Sequence, residues 1–216
     1  MARQKLAVLI SGRGSNLQSL IDACGEPGFP AEIALVLSNV AGVQGLERAR
    51  KAKIQTSVIS HKDFPDRESF EDAMHERILG VRPDLVCLAG FMRILTDGFI
   101  KRWNNRLINI HPSLLPAFRG LHTHERVLET GARFAGCTIH FVRPAMDDGP
   151  IIVQAAVPVR PEDTPDTLAA RVLEQEHRIY PLAVRLIAEG RVRVVGERVL
   201  IDGATPAEGT LINPAG

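Results

Sequence analysis

The 216-residue chain is poor in aromatics, at 5%, with one Trp and one Tyr. Its three cysteines, Cys24, Cys87 and Cys137, are an odd number without paired spacing, which excludes a disulfide framework. They point to buried or free thiols in a reducing compartment, and so to the cytoplasm. No sign of charge dominates. Lys and Arg number 26 against 25 Asp and Glu, a formal net charge of +1. That balance gives no electrostatic argument for nucleic acid as the main partner, although a small anion needs only a local positive pocket. Long apolar runs are also missing. The first holds five residues before a Ser-Gly turn, too short for a signal-peptide core, and none approaches the roughly 20 residues of a membrane-spanning helix. No repeat and no low-complexity linker interrupts the chain.

What is present suits one soluble domain: 45% hydrophobic and 24% charged residues. A chain of this length buries roughly 70% of its unfolded surface and needs no disulfide or metal to hold a core. "KLAVLIS" (Lys5–Ser11) is a short apolar run bounded by turn residues, read as a fully buried strand. "GRGSNLQSLIDAC" then opens a helix. Further strands are read at Ala31–Ser38, "IQTSVIS", Asp84–Gly90 and Arg106–His111. Amphipathic segments lie between them, one starting near Asp66. This alternation predicts a Rossmann-like α/β fold, a mostly parallel twisted sheet with helices on both faces. After Gly120 the pattern changes. "GCTIHFV" and "IIVQAAVPV" have no helix-length segment between them, so antiparallel strands are expected at the C-terminal side of the sheet. A long helix follows from about Pro165 to Glu189, then a hairpin turning at Gly-Glu, then a loose tail over 204–216.

Two places carry candidate chemistry. "SGRGSN" (Ser11–Asn16) joins the first strand to the first helix, where open α/β sheets bind ligands and a helix N-terminus offers free N–H groups. Gly12 and Gly14 allow close backbone approach, and Ser15 and Asn16 add short polar side chains. The third glycine of a dinucleotide fingerprint is replaced by Leu17 and the P-loop lysine is absent, so the loop suits a single phosphate. The alternative is a plain connecting turn. The second place is "LINIHPSLLP". Asn109 and His111 share one face of a strand that Pro112 ends. An amide can stabilise an oxyanion while an imidazole moves a proton. Spacing alone does not separate this from an Asn–His pair satisfying itself in a core. Asp147 or Asp148 in "MDDGP" could hold such an imidazole charged, or both could be turn residues before Gly149-Pro150. His140, alternating with apolar neighbours, either supports the site from behind or is a satisfied sheet histidine. His122 and His124 have H-x-H spacing without a further ligand set, and "ERARKAK" reads as a solvated helix face.

These segments together resemble the glycinamide ribonucleotide formyltransferases, folate-dependent enzymes of purine biosynthesis. The match runs from "VLISGRGSNLQSLIDAC" through "LAGFMRIL", "INIHPSLLPAFRGLHTH", "GCTIHFV" and "MDDGPIIVQAAVPV" to "LEQEHRIYP". The "HPSLLP" region is shared across formyl-folate enzymes, whereas "SGRGSNL", "GLHTH" and "QEHRIYP" are narrower. The resemblance implies formyl transfer from 10-formyltetrahydrofolate to the amine of the ribonucleotide, by a monomer or homodimer. It implies a nucleotide-binding half over about 1–111 and a folate and catalytic half over about 112–203. Asn109, His111 and Asp147 would be catalytic, which selects Asp147 over Asp148. Gly14, Ser15 and Asn16 would hold the phosphate, with Leu173, Glu174, Gln175 and Glu176 on the ribonucleotide. Arg67, Met92, Arg93, Ile94, Leu95, Asn109, Arg143, Pro144, Ala145, Met146 and Asp147 would line the folate site. No metal is required. Pro144 and Asp148 depart from the family pattern, which often has an acidic residue at the first position and a small one at the second. Rival readings are a formyltetrahydrofolate deformylase, a methionyl-tRNA formyltransferase, which would need an additional C-terminal tRNA-binding domain and a basic surface, and a nucleotide-binding module without chemistry.

Overall fold

Strand β1 (Gln4–Ile10) is apolar on both sides because both sides are covered. In the computed structural model, which describes residues 2–205 and 208–214, Leu6, Val8 and Ile10 enter one core and Ala7 and Leu9 enter another. The same alternation continues in β4 (Leu85–Leu88) and β5 (Leu107–His111). It separates two helix layers. Helices α1 (Ser15–Gly25), α2 (Gln44–Lys51), α5 (Thr123–Glu129) and α6 (Pro165–Ala188) send Leu17, Leu46, Val127 and Val172 into the first core. Helices α3 (Arg67–Leu79) and α4 (Asp97–Arg102) send Phe70, Met74 and Phe99 into the second.

The remaining strands are β2 (Ala31–Ser38), β3 (Thr56–Val58), β6 (Phe134–Phe141) and β7 (Ile151–Pro158), and the sheet order is β3-β2-β1-β4-β5-β6-β7. Pairing is parallel from β3 through β5, then antiparallel for β5–β6 and β6–β7, as the sequence pattern predicts. Strand order reverses direction between β1 and β4. The crevice outside their carboxyl ends is where ligands sit in such sheets. The two loops bordering it are tied together: Ser11 N–H donates to the Gly90 carbonyl at 3.1 Å, and Met92 N–H donates to Ser11 Oγ at 2.8 Å.

Short elements differ from expectation. The third strand is only three residues long. Helices α4 and α5, of six and seven residues, span too few turns to show a 3.6-residue period. The closing hairpin, β8 (Val192–Val195) and β9 (Arg198–Ile201), forms its own two-stranded sheet and packs Val192, Val194, Val199 and Ile201 on the first core. Of the tail, residues 206, 207, 215 and 216 lie outside the described residues. Within it, Asn213 Nδ2 donates to the Arg133 and Val159 carbonyls at 2.6 and 2.9 Å. Among the described residues, no helix is long and apolar enough to cross a membrane.

Candidate active site

The first polar feature lies at the start of α1. Gly14 adopts a left-handed backbone, φ 70°, and no side chain caps the helix. The N–H groups of the first turn and the positive dipole end are thus free for an anion. The loop lies directly on α2: Gly45 N–H donates to the Gly12 carbonyl at 3.1 Å, and a Cβ on Gly14 would meet Gly45 Cα at 2.7 Å. From the far end of the chain, α6 brings Glu176 beside this loop. Asn16 Nδ2 donates to Glu176 Oε2 at 2.6 Å, and both residues are buried. Burial pushes the Glu176 carboxyl up, an effect the Asn16 bond partly offsets. Asn16 Oδ1 is buried with no hydrogen-bond partner among the described residues. It can accept from a ligand hydroxyl or amine. Arg48, read from the sequence as part of a solvated helix face, is instead half-buried against this loop. Arg48 Nε donates to the Arg13 carbonyl at 3.0 Å and its Nη1 to Gln18 Oε1 at 3.2 Å.

The second feature lies on the sheet face shared with α3 and α4. On β5 and β6 that face turns polar: Ile108, Ile110, Cys137, Ile139 and Phe141 point to the first core, leaving Asn109, His111, Thr138 and His140 opposite. Register pairs Asn109 with His140 and His111 with Thr138. The β6–β7 ladder slips between Ile139 and His140, a bulge at the point where the site's side chains must be aimed.

His140 is 2% exposed, and burial pushes its ring toward the neutral form. Its Nδ1 lies 2.9 Å from the Phe141 carbonyl, which can only accept, so Nδ1 carries the hydrogen and Nε2 the lone pair. That lone pair faces Asn109 Nδ2 at 3.4 Å. One amide N–H of Asn109 is thereby fixed and the other remains available. His111 is placed by two acceptors: the Phe118 carbonyl is 3.0 Å from Nε2 and Asp147 Oδ2 is 3.4 Å from Nδ1. Asp147 sits at φ 50°, a left-handed conformation costing a non-glycine residue about 1–3 kcal/mol. Its Oδ2 also accepts from the Gly120 N–H at 2.9 Å. Asp148 turns away from His111 and pairs with Arg119.

The loop after His111 is held by residues that sequence reasoning missed. Thr138 Oγ1 donates to the Ser113 carbonyl at 2.7 Å and accepts from Leu115 N–H and Gln154 Nε2 at 3.1 and 3.0 Å. One hydroxyl thus uses its donor and both lone pairs. The only sequence signal for either side chain is polarity within an apolar strand.

Other candidates are placed unevenly. Glu71, buried in α3, accepts from the Thr96 N–H at 2.8 Å and from the Thr96 hydroxyl, which ties segment 92–95 to the helix that begins with Arg67. Met92, Arg93 and Ile94 are exposed there and Leu95 is buried. Pro144, Ala145 and Met146 form the exposed rim of the Asp147 loop. Arg143 is engaged elsewhere, with Asn105 Oδ1 at 2.8 Å and Glu197 at 3.4 Å. Leu173 is half-buried one turn before Glu176, Gln175 accepts from Arg178, and Glu174 points to solvent. His122 is exposed. Among the described residues, no cluster of three or more His, Cys, Asp or Glu is arranged to hold a metal ion.

The order of these pieces along the chain is that of a known family. A family model described as formyl transferase matches residues 4–184. The chain belongs to the formyl transferase family. Among formyl transferase relatives, the phosphoribosylglycinamide formyltransferase of Escherichia coli (strain K12) is 46% identical over 198 residues, covering 92% of this chain and 93% of that protein. The trifunctional purine biosynthetic protein adenosine-3 of Drosophila pseudoobscura pseudoobscura is 53% identical over 197 residues. That alignment covers 90% of this chain, which spans only 14% of the longer protein. The crystal structure of glycinamide ribonucleotide transformylase 1 from Symbiobacterium toebii superposes with a TM-score of 0.90 at 48% identity, over 92% of this chain and 94% of that one.

Proposed function

We propose that this formyl transferase moves a formyl group from 10-formyltetrahydrofolate to the glycine amine of glycinamide ribonucleotide, a step of purine biosynthesis. The observation that carries the reading is the amide–imidazole–carboxylate set at the end of β5. It faces the same crevice as an uncapped helix N-terminus. The names and coverage of the full-length relatives support formyl transfer to the ribonucleotide. A cytoplasmic setting accords with three unpaired cysteines.

The residues divide the work as follows. Free N–H groups at Gly14–Asn16 take the phosphate, while Glu176 and the unpaired Asn16 oxygen face the ribose. Segment 92–95, Arg67 and the rim 143–147 enclose the folate. Attack of the amine on the formyl carbon puts negative charge on the carbonyl oxygen. The free Asn109 N–H and the His111 Nε2–H, taken over from the Phe118 carbonyl, are the donors for that charge. Asp147 orients the ring and balances its positive form. The adduct carries an oxyanion and an ammonium; a proton passes from His111, directly or through water, to the departing folate nitrogen, and the proton shed by the ammonium returns to the imidazole as the amide forms. Acid–base assistance of this kind is worth roughly 10²–10⁴ in rate.

The test is turnover of 10-formyltetrahydrofolate, followed by absorbance with and without glycinamide ribonucleotide. Folate release that requires the ribonucleotide is expected. Equal release without it would mean hydrolysis by a deformylase, and absence of release in both arms would leave the set without its assigned chemistry.

A further inference from the structure

Three consecutive residues reach three different parts of the site. Phe118 holds His111 through its carbonyl, and Gly120 holds Asp147 through its N–H, at 3.0 and 2.9 Å. Between them the Arg119 guanidinium is paired with Asp148, the residue next to Asp147. Segment 118–120 is itself anchored from α5, where Arg126 Nη1 donates to the Arg119 carbonyl at 2.6 Å and the guanidinium stacks on Phe118. The Asp147 loop has few other fastenings near its tip: Met146 is 53% exposed and Asp147 has a left-handed backbone. Behind that loop lies an open hollow of about 430 Å³, lined by Arg119, Asp147, Asp148, Glu197 and Arg198. The loop therefore has room to withdraw from His111.

We propose that Arg119 and Asp148 are positioning residues for the transfer, an ion pair that keeps the Asp147 carboxylate against His111. The inference rests on the function proposed above. Neither side chain touches His111, so the pair acts through Asp147. Cutting it leaves the substrate pockets in place and lowers the fraction of enzyme with a correctly oriented imidazole, which reduces kcat and spares KM.

Arg119→Ala, Asp148→Ala, the double alanine variant and the exchanged Arg119→Asp/Asp148→Arg enzyme are compared by steady-state kinetics, with Asp148→Glu as the conservative variant. Each side chain of the pair is 41% and 46% exposed, and exposed pairs are worth little, so each single variant should lose about two- to fivefold in kcat. Both KM values should stay within about twofold of wild type. The double variant should be no slower than the singles, because one interaction is removed in all three. Asp148→Glu and the exchanged enzyme should recover activity. In 1 M KCl the wild type should fall to the level of the variants, which should themselves barely respond. Single effects that multiply in the double variant, or a KM change at constant kcat, would overturn the assignment. A wild-type enzyme that releases no folate with ribonucleotide present would instead overturn the function it rests on.

Discussion

Replacing Gly45 by Ala puts a Cβ 2.5 Å from Ile10 Cδ1, 3.0 Å from the Gly12 carbonyl oxygen and 3.3 Å from Gly14 Cα. Carbon atoms in contact rest at roughly 3.5–4.0 Å, so the Ile10 contact is short by about 1 Å. Ile10 is fully buried, and a close-packed interior leaves its methyl nowhere to go. Overpacking of this kind costs about 1–3 kcal/mol, while Ala gains roughly 1 kcal/mol over Gly in a helix. The net loss is up to about 2 kcal/mol. At about 2–4 °C per kcal/mol for a domain of this size, Tm falls by up to about 8 °C. Relief has to come from the other side of the contact, by pushing the Gly12–Gly14 loop off α2 and with it the first turn of α1. Losing one hydrogen bond to a phosphate costs about 1.5–3 kcal/mol, or roughly ten- to hundredfold in KM for the ribonucleotide. At saturation kcat should change less than about twofold, because Asn109 and His111 stand on a different strand. Thermal unfolding and steady-state kinetics on the purified variant read both effects. Gly25→Ala, where an added Cβ meets nothing within 4 Å, is the control and should keep the wild-type Tm. A lower kcat with unchanged ribonucleotide KM would refute the assignment of this loop to the phosphate.

His111→Ala should lower kcat by about 10²–10⁴ with much smaller changes in either KM; a variant keeping a tenth of wild-type kcat would remove the ring from the mechanism. Glu176→Gln tests a pH dependence. Because the folded carboxyl is raised above 4.5, its contribution to stability is complete below that value and is lost as pH rises through the folded one. The amide should therefore raise Tm at pH 8, with the difference vanishing near pH 4.5. The same variant should raise ribonucleotide KM about tenfold or more by losing a charged hydrogen bond. Thr164→Ala removes half of the reciprocal cap in which Thr167 N–H donates to Thr164 Oγ1 at 3.2 Å and Thr164 N–H donates to Thr167 Oγ1 at 2.9 Å. It should cost about 1 kcal/mol, a fall in Tm of about 2–4 °C, with both KM values unchanged.

Legibility in the sequence followed the range of each interaction. Buried strands such as "KLAVLIS" announce themselves because both faces are apolar, and Asn109 and His111 share a face by strand geometry alone. The antiparallel pairing of β6 with β7 is readable from the helix-free connection between them, whereas the switch itself falls at β5–β6, across a connection that contains α5. Helices α4 and α5 were not readable, since six or seven residues cannot display a helical period. Asp147 could not be separated from Asp148 by spacing; the structure separates them by a left-handed backbone and by Arg119. The Asn16–Glu176 bond and the Thr138 and Gln154 anchors link residues distant in sequence, and no local pattern encodes them. The tautomer of His140 depends on a neighbouring carbonyl, which belongs to the fold and not to the residue type.

The bond between Asn16 and Glu176 spans 160 positions of the chain. At a synthesis rate of about 5–20 residues per second, roughly 8–30 s separate the emergence of its two ends. For that interval the growing chain carries the Gly12–Asn16 loop without the acid that Asn16 bonds in the folded protein. Contacts of such separation also carry a loop-closure cost that folding must meet before they reward it. On the roles proposed above, the ribonucleotide meets its full set of contacts only once α6 has docked. At ten times its Kd it would add about 1.4 kcal/mol to the stability of that state, so supply of the substrate and persistence of the folded chain rise together.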